Sequence, residues 1–135
     1  MNDDLILIDT SAWIEFFRRD KSVSITGIEV ERLLSQDLVV TTEPVLVELA
    51  AGAKSKKSLN ELKEMFSSFH TARVTEQVWS ETTENIFSLG SRGYTVPLSD
   101  VVIATVSMAY RLPLLHQDKH FKSIASVLQL EEHQL

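Results

Sequence analysis

The chain has 135 residues, 13 Lys and Arg against 19 Asp and Glu, 44% hydrophobic residues and no Cys. These figures predict one domain spanning residues 1–135 that folds without a crosslink or a thiolate zinc site. A formal charge of −6 argues against a sequence-blind grip on nucleic acid through many Lys and Arg contacts to phosphate, so any such role needs local positive charge or a metal ion. The opening Met1-Asn2-Asp3-Asp4 lacks the positive segment of a signal peptide. The longest apolar stretch, Val101 to Tyr110, is interrupted by Thr105 and Ser107 and falls short of the roughly 20 residues that span a bilayer. The expectation is a soluble, cytoplasmic protein with no membrane role.

In chain order, Leu5 to Ile8 is an unbroken Leu/Ile run ending at Asp9, the pattern of a strand buried on both faces. Ala12 to Arg18 carries Trp13, Ile14, Phe16 and Phe17 and reads as a helix, as does Ile25 to Ser35. Leu38 to Val40 is a second short strand, followed by a helix from Pro44 to Ala51 that opens on proline. Leu59, Leu62, Met65, Phe66 and Phe69 keep three-and-four spacing, as do Val78, Thr82 and Ile86 after a strand candidate at Ala72 to Val74. Asp100 to Arg111 is a long, mostly apolar helix, followed by strand candidates at Leu114 to Leu115 and Val127 to Leu130. Alternation of strand and helix predicts an α/β fold with a parallel sheet covered by helices.

Parallel strands end, and their crossover helices begin, along one rim, where ligands bind in such sheets. Asp9, Glu48, Asp100 and Asp118 all fall at that rim by this logic. Each has an ordinary structural reading as well: Asp9, Asp100 and Asp118 are each suited to cap a helix or to occupy its first turn, and Glu48 to be a charge on the one wet face of its helix. Glu15, Glu43 and Glu76 also reach the rim, so position alone is not diagnostic. Glu48 stands out because its neighbours, Val45-Leu46-Val47 and Leu49-Ala50-Ala51, are all apolar, and a carboxylate out of water there needs a cation or strong donors. Lys119 is the one basic residue close to any of the four in sequence. The simplest partner for a shared acidic rim is therefore a divalent ion, and hard oxygen ligands suit magnesium or manganese. Such an ion lets an acidic pocket hold a phosphate. The chemistry open to it is phosphodiester hydrolysis by metal-activated water.

Ile8-Asp9-Thr10-Ser11-Ala12-Trp13-Ile14-Glu15 resembles the opening motif of the PIN domain, in particular of the VapC-type toxin ribonucleases. Glu48-Leu49-Ala50-Ala51-Gly52 is similar to its second motif, Leu98-Ser99-Asp100-Val101-Val102-Ile103-Ala104 to its third and Asp118-Lys119-His120-Phe121 to its fourth, in the family's order. The resemblance implies a sheet of order 3-2-1-4-5 and a magnesium- or manganese-dependent endoribonuclease acting on RNA, often transfer or ribosomal RNA. It also implies a cognate antitoxin that lays a helix and a tail across the first helix and pushes a basic group into the acidic site, and a homodimer. Carried over by position, Asp9 and Asp100 would be the principal metal ligands, Glu48 and Asp118 would complete the catalytic quartet directly or through water, and Ser11 would orient Asp9 or a metal-bound water. Where the family often has Thr or Ser two before the fourth acid and Asp two after it, this chain has His116 and His120.

Those histidines invite a zinc site of the form His116-x-Asp118-x-His120, but alternating spacing gathers ligands only on a continuous strand, and Asp118 is expected to start a helix. They are expected to flank the site. Arg18, Arg19, Lys21, Lys54, Lys56, Lys57, Lys119 and Lys122 offer an RNA track at the rim. Two competing classes remain. A phosphatase of the haloacid-dehalogenase kind would want a second Asp where Ser11 stands, and a non-catalytic interaction module of the same fold would have no need of all four acids.

Overall fold

The computed structural model describes residues 4–18 and 24–135. The strands are β1 (Ile6–Ile8), β2 (Val39–Thr41), β3 (His70–Thr71), β4 (Leu114–His116) and β5 (Glu132–Gln134). The helices are α1 (Thr10–Phe17), α2 (Ile25–Ser35), α3 (Glu43–Ala51), α4 (Lys56–Ser67), α5 (Glu76–Ser91), α6 (Leu98–Tyr110) and α7 (His120–Ala125). All strand pairs are parallel, in the order β3-β2-β1-β4-β5, as expected. Every residue of β2 and β4 is buried, so helices cover both faces of the sheet, which is why these strands read as continuous apolar runs.

The outer strands depart from expectation. β3 lies two residues earlier than the Ala72 to Val74 run, pairing His70 with Val40 and Thr71 with Thr41; Ala72 only extends the ladder, its amide donating to Thr41 O at 2.8 Å. Val127 to Leu130 is not a strand. Val127, Leu128 and Leu130 pack against the core after α7, and the polar segment Glu132–Gln134 forms β5. An edge strand is held by its backbone ladder and a few side chains, which leaves no hydrophobic pattern to read.

Local chemistry fixes the element ends. Ser24, Ser55 and Thr75 cap α2, α4 and α5 with side-chain oxygens, and Pro44 opens α3. Gly93, at φ 87°, turns the chain out of α5 where a side chain would be strained. Trp13 is completely buried, stacked near-parallel on Phe69 with ring centroids 5.5 Å apart and tilted against Phe66 at 5.1 Å. It joins α1 to α4 and so fixes the helix that begins at Asp9.

Candidate metal centre

Asp9 follows β1 directly and is the N-cap of α1. One oxygen does the capping: Oδ2 accepts from the Ser11 amide at 2.9 Å and from the Ser11 hydroxyl at 2.6 Å. Its other oxygen, Oδ1, is buried with no hydrogen-bond partner among the described residues. Ser11 is fully committed, because its oxygen also accepts the Gln117 amide at 2.8 Å. It therefore ties the end of β1 to the loop after β4.

Glu48 projects from α3, half-buried, with both oxygens engaged: Thr10 donates to Oε1 at 2.7 Å and Ser99 to Oε2 at 3.2 Å. The donors that its apolar neighbourhood called for are hydroxyls from the first turns of α1 and α6. Asp100, in the first turn of α6, is 6% exposed. Asp118, in the loop between β4 and α7, accepts the His120 amide at 3.0 Å.

The His120 ring stands between the last two acids. Its Nδ1 is 3.0 Å from Asp100 Oδ2 and 2.9 Å from Asp118 Oδ1. Asp100, Asp118 and His120 present ligand atoms that all lie within 4.8 Å of one another. The sequence reading put His120 at the flank; the structure puts it in the cluster, because α7 begins at this residue and turns its side chain back toward the acid two positions before it. His116 does lie aside. It is completely buried, accepts the Asp118 amide on Nδ1 at 3.1 Å and meets Glu132 Oε1 through Nε2 at 2.7 Å, so both nitrogens are used in holding β4, β5 and the Asp118 loop together. The zinc triad His116-Asp118-His120 is thus not assembled.

The acids feel one another. Burial pushes the Asp9 carboxyl up from its ordinary value, opposed by the Ser11 hydroxyl and amide, with the negative Glu48 adding to the rise. The Asp100 carboxyl is pushed up to about 7, first by burial, then by the charges of Asp118 and Asp9, with His120 pulling the other way. Glu48, Asp9, Asp100 and Asp118 therefore form a linked series of like charges, built from four places in the sequence. Crowded carboxylates of this kind favour either a shared proton or a cation.

The neighbouring acids separate from the quartet. Glu43 accepts the Val74 amide at 2.9 Å and pairs with Arg73 at 3.7 Å, tying α3 to the segment after β3. Glu15 pairs with Arg18 at 2.9 Å. Of the expected basic track, Arg19 and Lys21 lie outside the described residues, and Lys119 and Lys122 are exposed on and beside α7. Beside the acids, α1, α3 and α4 enclose an apolar groove of about 530 Å³ lined by Ile14, Phe17, Leu49, Leu62 and Met65, with Arg18 and Glu61 at its border.

A parallel sheet in this order, with an acidic cluster at its carboxyl rim, defines the fold class, and the profile of the PIN domain matches residues 6–127. The chain belongs to the PIN-domain family, and its sequence relatives place it among the VapC ribonucleases. It is 30% identical over 131 residues to ribonuclease VapC11 of Mycobacterium tuberculosis, covering 94% of this chain and 96% of that protein. In fold it matches VapBC2 from Rickettsia felis, solved bound to a DNA fragment from its promoter, with a TM-score of 0.76, 18% identity and coverage of 96% of this chain and 98% of that one. It also matches Mycobacterium tuberculosis VapC20, described as a sarcin-ricin-loop-cleaving toxin, with a TM-score of 0.66, 18% identity and coverage of 93% and 98%.

Proposed function

We propose that this chain is the toxin of a type II toxin–antitoxin pair and acts as a magnesium- or manganese-dependent endoribonuclease. The observation that carries the reading is the group of Asp100, Asp118 and His120, whose ligand atoms lie within 4.8 Å of one another; Asp9, with its buried unpartnered oxygen, and Glu48 stand outside that group and join it through the charge that Asp9 exerts on Asp100 and Glu48 on Asp9. Such a set fits a hard divalent cation. Asp9 and Asp100 are the principal ligands in this proposal, with Asp118 and Glu48 completing the site. When bound, the ion supplies Lewis-acid stabilisation of charge on the phosphate and eases deprotonation of the attacking water.

The protein's own residues do the rest. Ser11 fixes Asp9 through two donated hydrogen bonds, so that Oδ1 is presented without loss of side-chain entropy. Thr10 and Ser99 hold both oxygens of Glu48, leaving its remaining lone pairs to accept from a water or a ribose hydroxyl. Lys119 and Lys122 stand at the rim, where a phosphate chain passing over an acidic cup meets positive charge. The substrate class is structured RNA, transfer or ribosomal, in keeping with the description of VapC20.

Two protein partners complete the proposal. The relatives solved as VapBC complexes support a cognate antitoxin, and the groove between α1, α3 and α4 is its docking place, since Ile14 and Phe17 remain about half exposed there. A homodimer would cover the face of α5 on which Trp79, Thr83 and Phe87 follow one another at i, i+4 and i+8, with Phe87 73% exposed.

The test is cleavage of total RNA by the purified chain. Asp9→Asn and Asp100→Asn are expected to remain folded and to lose cleavage on the order of a thousandfold, equivalent to several kcal/mol of transition-state stabilisation. Wild-type cleavage that persists in excess chelator would overturn the metal-dependent reading, and a wild-type protein inert on RNA in both ions would favour a binding module.

A further inference from the structure

We infer that His120 is itself a ligand of the divalent ion, giving the centre one nitrogen donor that biases it toward manganese and other transition ions over magnesium. The inference rests on the metal-centre reading above and sharpens it by naming a ligand and a preference.

The geometry of three atoms is the first ground. Nδ1 lies 3.0 Å from Asp100 Oδ2 and 2.9 Å from Asp118 Oδ1. Two ligands at adjacent corners of an octahedron are separated by the metal–ligand distance times √2, which is about 3 Å for bonds of about 2.1 Å. The ring nitrogen stands at that spacing from each of the two oxygens, and the ligand atoms of the three residues lie within 4.8 Å of one another.

The second ground is the contrast with His116. That ring is sealed and uses both nitrogens, one on the Asp118 amide and one on Glu132. His120 is about one third exposed at the side chain, and among the described residues its ring hydrogen bonds run through Nδ1 alone, toward carboxylates and nothing else. His116 braces the fold from a sealed position with both nitrogens engaged, whereas His120 leaves Nε2 without a hydrogen bond among the described residues and keeps its ring partly open to solvent. This one is held by its own position at the start of α7, where its amide also bonds Asp118 Oδ1 at 3.0 Å. Helix start, acid and ring form one rigid unit aimed at Asp100.

The unpartnered Oδ1 of Asp9, buried in a residue that is 2% exposed, is the third ground. A buried carboxylate oxygen without a donor is costly unless positive charge lies within reach. Imidazole nitrogen is a borderline donor that suits manganese, cobalt, nickel and zinc better than magnesium, which prefers an all-oxygen shell. An oxygen set extended by His120 therefore selects differently from the carboxylates alone.

Pulsed electron paramagnetic resonance of the manganese-loaded wild-type chain reads the ligand directly. A nitrogen-14 coupling is expected in the wild type and its loss in His120→Asp and His120→Ala. Calorimetric titration with manganese and with magnesium should show the preference for manganese falling on the order of tenfold in His120→Asp, with manganese binding weakened 10- to 100-fold in His120→Ala. Manganese binding that depends on Asp9 and Asp100 yet shows no nitrogen coupling would overturn the role of His120 and leave the metal centre standing. Tighter manganese binding by His120→Ala would equally overturn it, making the ring a competitor of the ion. If manganese bound to the wild type is indifferent to Asp9→Asn and Asp100→Asn, the metal centre itself fails, and this inference with it.

Discussion

Asp9 is a helix cap whose two oxygens have different surroundings. Oδ2 takes the Ser11 amide and hydroxyl, while Oδ1 stays buried and unpaired. Asp9→Asn keeps an oxygen for the cap and removes the charge, so the metal-free variant should melt at or above the wild-type temperature. Ser11→Ala does the opposite damage: it strips a donor from Asp9 and leaves the half-buried backbone amide of Gln117 without its acceptor, which should cost about 1–3 kcal/mol in denaturant unfolding. Asp100 gives a pH prediction of definite sign. Below about pH 4 its carboxyl is neutral in both folded and unfolded chains. Between its ordinary value of 3.8 and about 7 the folded site keeps a proton that the unfolded chain has released, so the stability owed to this group falls as pH rises through that window. Thermal melts in chelator should therefore show Asp100→Asn gaining on the wild type from pH 4 to pH 7, by on the order of 1 kcal/mol or more. Parallel curves for the two proteins would count against the crowding of these acids.

What the sequence made legible at the level of elements follows from where apolar residues are forced inward. β1, β2 and β4 are buried on both faces, so Leu5 to Ile8, Leu38 to Val40 and Leu114 to Leu115 announce themselves, and the helices between them carry periodic apolar faces. Asp9 and Glu48 were readable from these landmarks, one by following a strand and one by its apolar company. β5 was not, because Glu132, His133 and Gln134 sit on an edge where alternation has no core to report. His120 was underplaced for a different reason: Asp118 marks the start of the short helix α7, but which way the ring of the first helical residue turns depends on Asp100, which lies 20 positions before it in the chain. The partner of β5 is also a side-chain matter. Glu132 meets the fully buried Nε2 of His116, so Glu132→Ala should leave that nitrogen unsatisfied and cost about 1–3 kcal/mol. Amide hydrogen exchange should then rise in β5 and the Asp118 loop; unchanged protection there would mean that the edge is held by its backbone ladder alone.

Across the whole molecule, the acidic cup and the apolar groove share their walls. α1 begins at Asp9 and ends at Phe17 in the groove; α3 carries Glu48 toward the cup and Leu49 toward the groove. A polypeptide seated in the groove can thus run on toward the acids without crossing the body of the protein, and a basic side chain at its end would occupy the place that the cation needs. The two functions are nonetheless separable, since Ile14 is 49% exposed and faces the groove, not the carboxylates. Replacing it should not disturb Trp13, which supplies the buried anchor of α1. Ile14→Glu sets a charge among Phe17, Leu49, Leu62 and Met65 at the centre of that surface, where truncation of an anchoring side chain typically costs about 2 kcal/mol or more. The variant should therefore lose antitoxin affinity by at least about thirtyfold, while the isolated chain cleaves RNA at the wild-type rate. Titration of the nuclease with its antitoxin, with a circular dichroism melt to show that α1 has held, measures both. Neutralisation of Ile14→Glu at the wild-type antitoxin concentration would move the docking place elsewhere, whereas loss of cleavage in the free variant would show that groove and cup are coupled through α1.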